Sequence, residues 1–354
     1  MRHPRIILDD EACAYHCIAR TAGQEWLFDT DARKDQIQRI IKACAILKGV
    51  NLINFVIMSN HLHLLVQIPG KSSIEPLTKD LLIKQAKVLY RKAYVGDLKH
   101  EFDRAEKLDE TRGVGDTWHR QQILNRYEAR RGNLSFFMQE VKERITDYIN
   151  KEHNRKGTLW EGRFKSPVVE NTLEALLAVS TYIDLNPIRA GIVSKPEDYR
   201  WCGYSAALGG DRMAREGLAW IYSNQGPKEN TPGWHTISGD YRQYLFEKGL
   251  ELLADESTGC KGRLGFTAEQ VEHEIKRRGK LPLHEVMLYR VRYFTDGVVI
   301  GSESFVNQVF AKRRDQLTSP NSKRTTGARR MRGADWGGLT TLRDLRLNVI
   351  GHPS

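Results

Sequence analysis

The amino-acid sequence predicts an α+β protein, an antiparallel sheet with helices packed on it. Two observations carry that prediction. Residues 12–66 run strand, helix, strand, strand, and only Ser59-Asn60 separates the last two, a break that suits antiparallel pairing. Residues 133–152 then place Leu134, Phe137, Met138, Val141, Ile145 and Ile149 at spacings of three and four, a long helix with one apolar stripe to bury. With 354 residues, 40% of them apolar and 28% charged, the chain is long enough for two domains and a sizeable core.

In chain order, Ala14-Tyr-His-Cys-Ile-Ala-Arg20 reads as the first strand, with a turn at Thr21-Ala-Gly-Gln24. In a strand His16 faces away from Tyr15 and Cys17, and it is taken as structural or DNA-facing rather than as a ligand. Asp29-Thr-Asp-Ala32 is a helix start. Ile37, Ile40, Ile41, Cys44 and Leu47 follow at helical spacing, and Gly49 closes the helix. Strand runs at 50–58 and 61–66 end at Pro69-Gly70. Residues 73–94 read as helical and the highly charged 96–115 as a loop or irregular insertion. A further helix spans 172–185, with Leu173, Leu176, Leu177, Val179 and Ile183 available for burial. Pro187 disfavours helical geometry at Asn186, which is expected at the helix end.

Net charge is +11, which favours a polyanionic partner, nucleic acid first. A basic surface that merely keeps the protein in solution has the same sign. The five cysteines are odd in number and form no Cys-x-x-Cys pair, so reduced thiols are expected rather than a disulfide framework or a structural zinc site. No run of about 20 apolar residues suggests a membrane span. The expectation is a cytoplasmic, nucleoid-associated protein, monomer or homodimer, with no membrane partner.

Candidate chemistry starts in Phe55-Val-Ile-Met-Ser-Asn-His-Leu-His-Leu-Leu-Val66. Successive strand side chains point to opposite faces, so His61 and His63 share one face. Two imidazoles so placed can chelate a divalent metal; two hydrogen-bonded core histidines give the same pattern. Asn154-Arg-Lys-Gly-Thr-Leu-Trp-Glu-Gly-Arg-Phe-Lys165 alternates basic residues (Arg155, Lys156, Arg163, Lys165) with Trp160 and Phe164. That mixture suits phosphate contacts plus base stacking, and also a hairpin with a packed tryptophan. Tyr182 and Asn186 lie four apart, on one face if the helix reaches both.

Four segments occur in a telling order: Met58-Ser-Asn-His-Leu-His-Leu-Leu-Val66, Gly157-Thr-Leu-Trp-Glu-Gly-Arg-Phe-Lys165, Tyr182-Ile-Asp-Leu-Asn-Pro-Ile-Arg-Ala-Gly191 and Pro196-Glu-Asp-Tyr-Arg-Trp201. Together they resemble the REP-associated tyrosine transposases, of the single-tyrosine branch of the His-hydrophobe-His (HUH) nucleases, the insertion-sequence type of transposase. The resemblance covers about residues 10–205. It implies a ferredoxin-like sheet and cleavage and rejoining of single-stranded DNA near hairpins, with Mg²⁺ or Mn²⁺ as cofactor. By the same resemblance His61 and His63 match the metal-binding pair and Tyr182 the nucleophile. Asn186 falls where many relatives place a glutamine that completes the metal site, and Arg189 beside it is a DNA contact. Tyr199 and Tyr204 are taken as packing residues. Two other functions use the same residues: a non-catalytic hairpin-DNA-binding regulator, and a metal-dependent nuclease that uses water and leaves Tyr182 structural.

The expected domains are a catalytic domain at 1–205, a linker or helical segment at 206–260, a helix-turn-helix-like module at 261–318 and a flexible basic tail at 319–354. Helices are expected at 241–254, 267–278, 282–293 and 303–314, the last ending in the DNA contacts Lys312, Arg313 and Arg314. From 311 to 346 there are ten Lys/Arg against three acidic residues.

Overall fold

The computed structural model describes residues 13–70, 73–113, 115–223, 232–252, 262–281, 299–312, 314, 326–330 and 340–342. The chain divides into two compact units, 1–183 and 184–354, each described here by itself.

The first unit opens with strand β1 (Cys13–Arg20), helix α1 (Asp31–Lys48), and strands β2 (Asn51–Ile57) and β3 (His61–Ile68). Helices α2 (Lys79–Leu89), α3 (Lys92–Arg112), α4 (Trp118–Glu128) and α5 (Leu134–Glu152) follow. A two-residue strand β4 (Val168–Val169) and helix α6 (Leu173–Asp184) complete it, the last residue of α6 opening the second unit. The sheet order is β2-β3-β1-β4 and every pairing is antiparallel. The expected α+β class and ferredoxin-like strand order are therefore present.

Register decides what each face carries. Cys17 pairs with Leu64 and Phe55 with Leu64, while Ile18 pairs with His63 and Val56 with His63. One face is thus Tyr15, Cys17, Leu64 and Phe55, all buried. Helix α1 packs against β2 on that side, its Lys42 Nζ 5.5 Å above the Phe55 ring. Thr30 caps α1 by accepting from the Arg33 amide, and Gly49 ends it at φ 61°. A side chain at Gly49 would put its Cβ 2.6 Å from Ile74 Cγ2, so the turn demands glycine twice over. The apolar stripe of α5 is buried at all six predicted positions, and the Asn133 side chain caps it through the Ser135 and Phe136 amides.

The charged stretch is not a loop. Residues 92–112 are α3, and the predicted helix at 73–94 is instead α2, a break at Tyr90–Arg91, and the start of α3. The reason is a helical stripe hidden among charges: Val95, Leu98, Phe102 and Ala105 are all buried. Asp109, 1% exposed, closes the turn into α4 by accepting from the His119 amide at 2.7 Å and from Arg120 Nε at 2.9 Å.

The second unit contains α7 (Asn186–Arg189), α8 (Gly203–Leu208), α9 (Arg212–Ser223), α10 (Trp234–Lys248), α11 (Ala268–Lys276) and α12 (Glu303–Lys312). Short strands β5 (Ile300–Gly301), β6 (Arg329–Arg330) and β7 (Thr340–Thr341) form an antiparallel sheet in the order β5-β7-β6. Helix α10 starts seven residues before the expected 241 and stops at Lys248, where Gly249 would clash with Phe266 if it carried a Cβ. Helix α11 has the foreseen cap, a full capping box between Thr267 and Gln270. Ser302 Oγ accepts from the Phe305 amide to open α12. The helix expected at 282–293, Arg313 and most of the basic tail lie outside the described residues. Cys13, Cys17, Cys44 and Cys202 are buried and unbridged, and among the described residues no helix is long and apolar enough to cross a membrane.

Candidate active site

The sheet face opposite α1 carries the chemistry. Strand alternation puts His61 and His63 on this face of β3, and antiparallel register brings Arg20 across from His61 and His16 across from Leu65. Asn54, on the same face of β2, donates through Nδ2 to Ser180 Oγ at 2.6 Å and to the Ser180 carbonyl at 3.1 Å. That side chain pins α6 over the histidines, and Tyr182 comes two residues later.

The Tyr182 ring stands edge-on to His63 and to His16, with centroids 5.8 Å away in each case. His16 and His63 stack at 5.1 Å, and His61 lies edge-on to His63, also at 5.1 Å. His16 Nε2 and His63 Nδ1 share a hydrogen bond of 2.9 Å. His63 is 4% exposed and Tyr182 43% exposed, so the tyrosine reaches solvent above an enclosed imidazole floor.

Burial drives the electrostatics. Desolvation lowers His16 to about 4; it lowers His61 to about 4, with help from the Arg20 charge. His63 falls furthest, to about 3, through burial and then the neighbouring His16, His61 and Arg20. Near neutral pH all three are neutral, the form whose ring nitrogens bind metal. Among the described residues no three His, Cys, Asp or Glu side chains are gathered as a ready metal site. His16 spends its Nε2 on His63, which leaves the His61–His63 pair as donors on this unit. Two imidazoles suit a divalent first-row cation that takes its other ligands elsewhere.

The remaining predicted residues are placed as follows. Asn186 is the first residue of α7, in the second unit: α6 stops at Asp184, and Asn186 is helical despite the proline that follows it, because Pro187 falls in the first turn of a new helix, where its missing N–H costs nothing. Arg189 ends the same helix, half-buried. The run 154–165 is an edge segment along β1 rather than a hairpin. Ile18 and Lys165 exchange backbone bonds at 2.9 Å, and the Ala22 amide donates to the Leu159 carbonyl. Arg155 pairs with Glu25 at 2.9 Å, while Lys156, Arg163 and Lys165 are exposed. Trp160 is 7% exposed; its Nε1 donates to Thr146 Oγ1 at 2.9 Å and its ring lies against Phe28. The ring read as a stacking platform is therefore mostly enclosed, the outcome its packing alternative describes. With Phe164, Lys142 and Arg163 it lines a cavity of about 620 Å³ on the outer face of α5. Lys312 and Arg314 are exposed at the end of α12. Tyr199 and Tyr204 are both buried.

Of the two roles read for His16, the structural one holds: it is 8% exposed and bonded to His63. Its pairing with His63 escaped the sequence reading, and so did Arg20. Arg20 is exposed, faces His61 across the strands and makes no ion pair among the described residues. Strand parity put both on one face, but only the register, which links residues 47 apart, brings them to the pair on β3.

Residues 10–103 match the family described as "Transposase IS200 like". No curated protein matches the chain significantly. A solved structure described as the REP-associated tyrosine transposase bound to a REP hairpin is 13% identical, with a TM-score of 0.36 over 59% of this chain and 87% of that one. A likeness that slight bears on neither fold nor function. The family match takes in His16, Arg20, His61 and His63 and ends before Tyr182. Residues 10–103 are thus similar to IS200-like transposases, the insertion-sequence type that the four sequence blocks resemble.

Proposed function

We propose that the chain is a single-stranded DNA endonuclease and strand transferase that works near DNA hairpins through a covalent 5′-phosphotyrosine. The observation that supports this reading best is the half-exposed Tyr182 ring against His63, on a sheet face whose histidines fall within the transposase match.

In this reading Tyr182 Oη attacks the scissile phosphorus. The Oη–P bond forms as the P–O3′ bond breaks, the phenol proton leaves to solvent and the 3′ oxygen takes one up. The ester conserves the cleaved linkage, so a returning 3′ hydroxyl reverses the step with no nucleotide cofactor. His61 and His63 would hold a divalent cation, Mg²⁺ or Mn²⁺, which when bound would neutralise charge on the non-bridging oxygens; Asn186 is a third-ligand candidate by the sequence resemblance alone. Arg20, which makes no ion pair among the described residues, supplies a guanidinium beside His61, a fork that fits phosphate oxygens. Lys156, Arg163 and Lys165 would line the strand edge as backbone contacts, with Arg155, Arg189, Lys312, Arg313 and Arg314 as further DNA contacts, while Trp160 packs the edge from inside.

The test is single-strand cleavage by wild type, His61→Ala and His63→Ala over a range of added Mn²⁺, beside hairpin binding measured on the same samples. Both variants are expected to lose cleavage and keep most binding. Wild-type cleavage rates from protein stripped of metal would overturn the reading.

A further inference from the structure

The two histidines differ in function according to which ring nitrogen carries the proton, and the structure bears on that directly. Asn60 bridges the turn before β3. Its Nδ2 donates to the Gln24 carbonyl at 3.1 Å, which fixes the amide so that Oδ1 faces His61 Nδ1 at 2.7 Å. A carboxamide oxygen only accepts, so His61 Nδ1 must carry the proton and its Nε2 the lone pair. The turn itself is held: the Thr21 amide and hydroxyl both donate to the Asn60 carbonyl, at 2.9 and 3.0 Å. Asn60 is thus a fixed acceptor on a fixed loop.

His63 meets a matching partner. Its Nδ1 lies 2.9 Å from His16 Nε2, and the stacked ring of His16 leaves the His63 Nε2 edge unobstructed by that bond. We propose that Asn60 and His16 are positioning residues that hold His61 and His63 in the Nδ1–H tautomer, so that both Nε2 lone pairs are available to one divalent cation. The inference rests on the metal reading above only in its last clause. The tautomers themselves are a property of the metal-free protein. Partners of this kind fix ring orientation as well as the proton, and their loss costs about 10- to 100-fold in metal affinity.

The experiment uses the full chain labelled with ¹⁵N-histidine, free of metal, at pH 7.5. Long-range ¹H–¹⁵N spectra separate Nδ1–H from Nε2–H rings, and free Mn²⁺ measured by EPR gives the affinity of the same samples. Wild type is expected to show both rings as Nδ1–H. Asn60→Ala should move His61 toward Nε2–H and weaken Mn²⁺ binding about 10- to 100-fold. Asn60→Asp keeps the acceptor but loses the donation to Gln24. It should restore the Nδ1–H form and the affinity, which a merely structural role in the turn would not allow. His16→Phe keeps a buried ring and should affect His63 alone, with thermal melts confirming that each variant is folded. An Nε2–H ring at His61 or His63 in wild type overturns the proposal, as does failure of Asn60→Asp to restore the tautomer. Both rings Nδ1–H with no Mn²⁺ bound would leave the tautomer assignment standing and sink the metal reading instead.

Discussion

Each unit buries a polar cluster, and the two are built on opposite rules. In the second unit Arg242, 2% exposed, donates to Glu197 at 2.6 Å, to Glu274 at 2.9 Å and to the Tyr204 hydroxyl at 3.2 Å. Tyr241 nearby donates to Asp184 at 2.5 Å. Burial opposes the Arg242 charge, but Tyr204 and the two carboxylates outweigh it and hold the guanidinium protonated. The guanidinium meets an acceptor on each side and the charges are enclosed, with Glu197 Oε1 the one carboxylate oxygen of the pair that accepts no hydrogen bond among the described residues. In the first unit three imidazoles are crowded together, and among the described residues no carboxylate offsets their burial. They stay neutral because burial forbids the charge, and their exposed neighbours are the Tyr182 ring and Arg20. The first cluster stabilises the fold that contains it. The second is tolerated by its fold, and the capacity it leaves unused is the mark of a site.

The sharpest way to break that contrast is to remove one partner from each cluster. Arg242→Ala leaves two carboxylates facing each other in the interior and should cost about 3–5 kcal/mol, read as a lowered midpoint in urea denaturation. Replacing Arg242 by methionine together with Glu197→Gln and Glu274→Gln should recover much of that loss, because the uncompensated charges are gone. A small effect from Arg242→Ala would mean the network is not the keystone described.

Acid should expose the histidine cluster in the opposite manner. The three folded-state values lie below the ordinary 6.5, so between about pH 6.5 and pH 4 the unfolded chain binds protons that the folded one refuses. Stability from this cluster is therefore complete above pH 6.5 and falls as pH drops, by on the order of 3 kcal/mol for a buried ring lowered by two pKa units or more. His16→Phe should flatten that slope in a pH series of melts. An unchanged slope would show the acid sensitivity to lie in other groups.

How much of this was legible beforehand differs between the two clusters for a physical reason. Periodicity revealed α1 and α5 because the apolar stripe is a local property, as in Leu134, Phe137 and Val141. It failed at α3, where charges between Val95, Leu98 and Phe102 masked the same stripe, and it did not resolve α9, which falls in the segment read as linker or helical. His61 and His63 were legible because strand alternation needs only two residues of separation. Their partners were not: His16 is 47 residues from His63, and Asn60 matters through Gln24, 36 residues away. The Arg242 network was invisible for the same reason, since Glu197, Glu274 and Arg242 come from three separate stretches.

The smallest expected effect lies at the mouth of the site. Arg20→Ala should leave folding untouched, lower cleavage, and reduce the slope of log affinity against log salt by about 0.7, the share of one phosphate contact on a single strand. An unchanged slope would remove Arg20 from the DNA path.

The central claim is that Tyr182, the half-exposed ring beside the histidine cluster, is a nucleophile. Single-stranded DNA carrying a hairpin, incubated with the protein and Mn²⁺, should yield a denaturant-resistant protein–DNA adduct whose peptide map places the DNA on Tyr182. Tyr182→Phe keeps the ring against His16 and His63, so it should fold normally, lose less than about 1 kcal/mol, and form no adduct. An adduct that persists in Tyr182→Phe, or DNA that is cut with no adduct at all, would contradict the account.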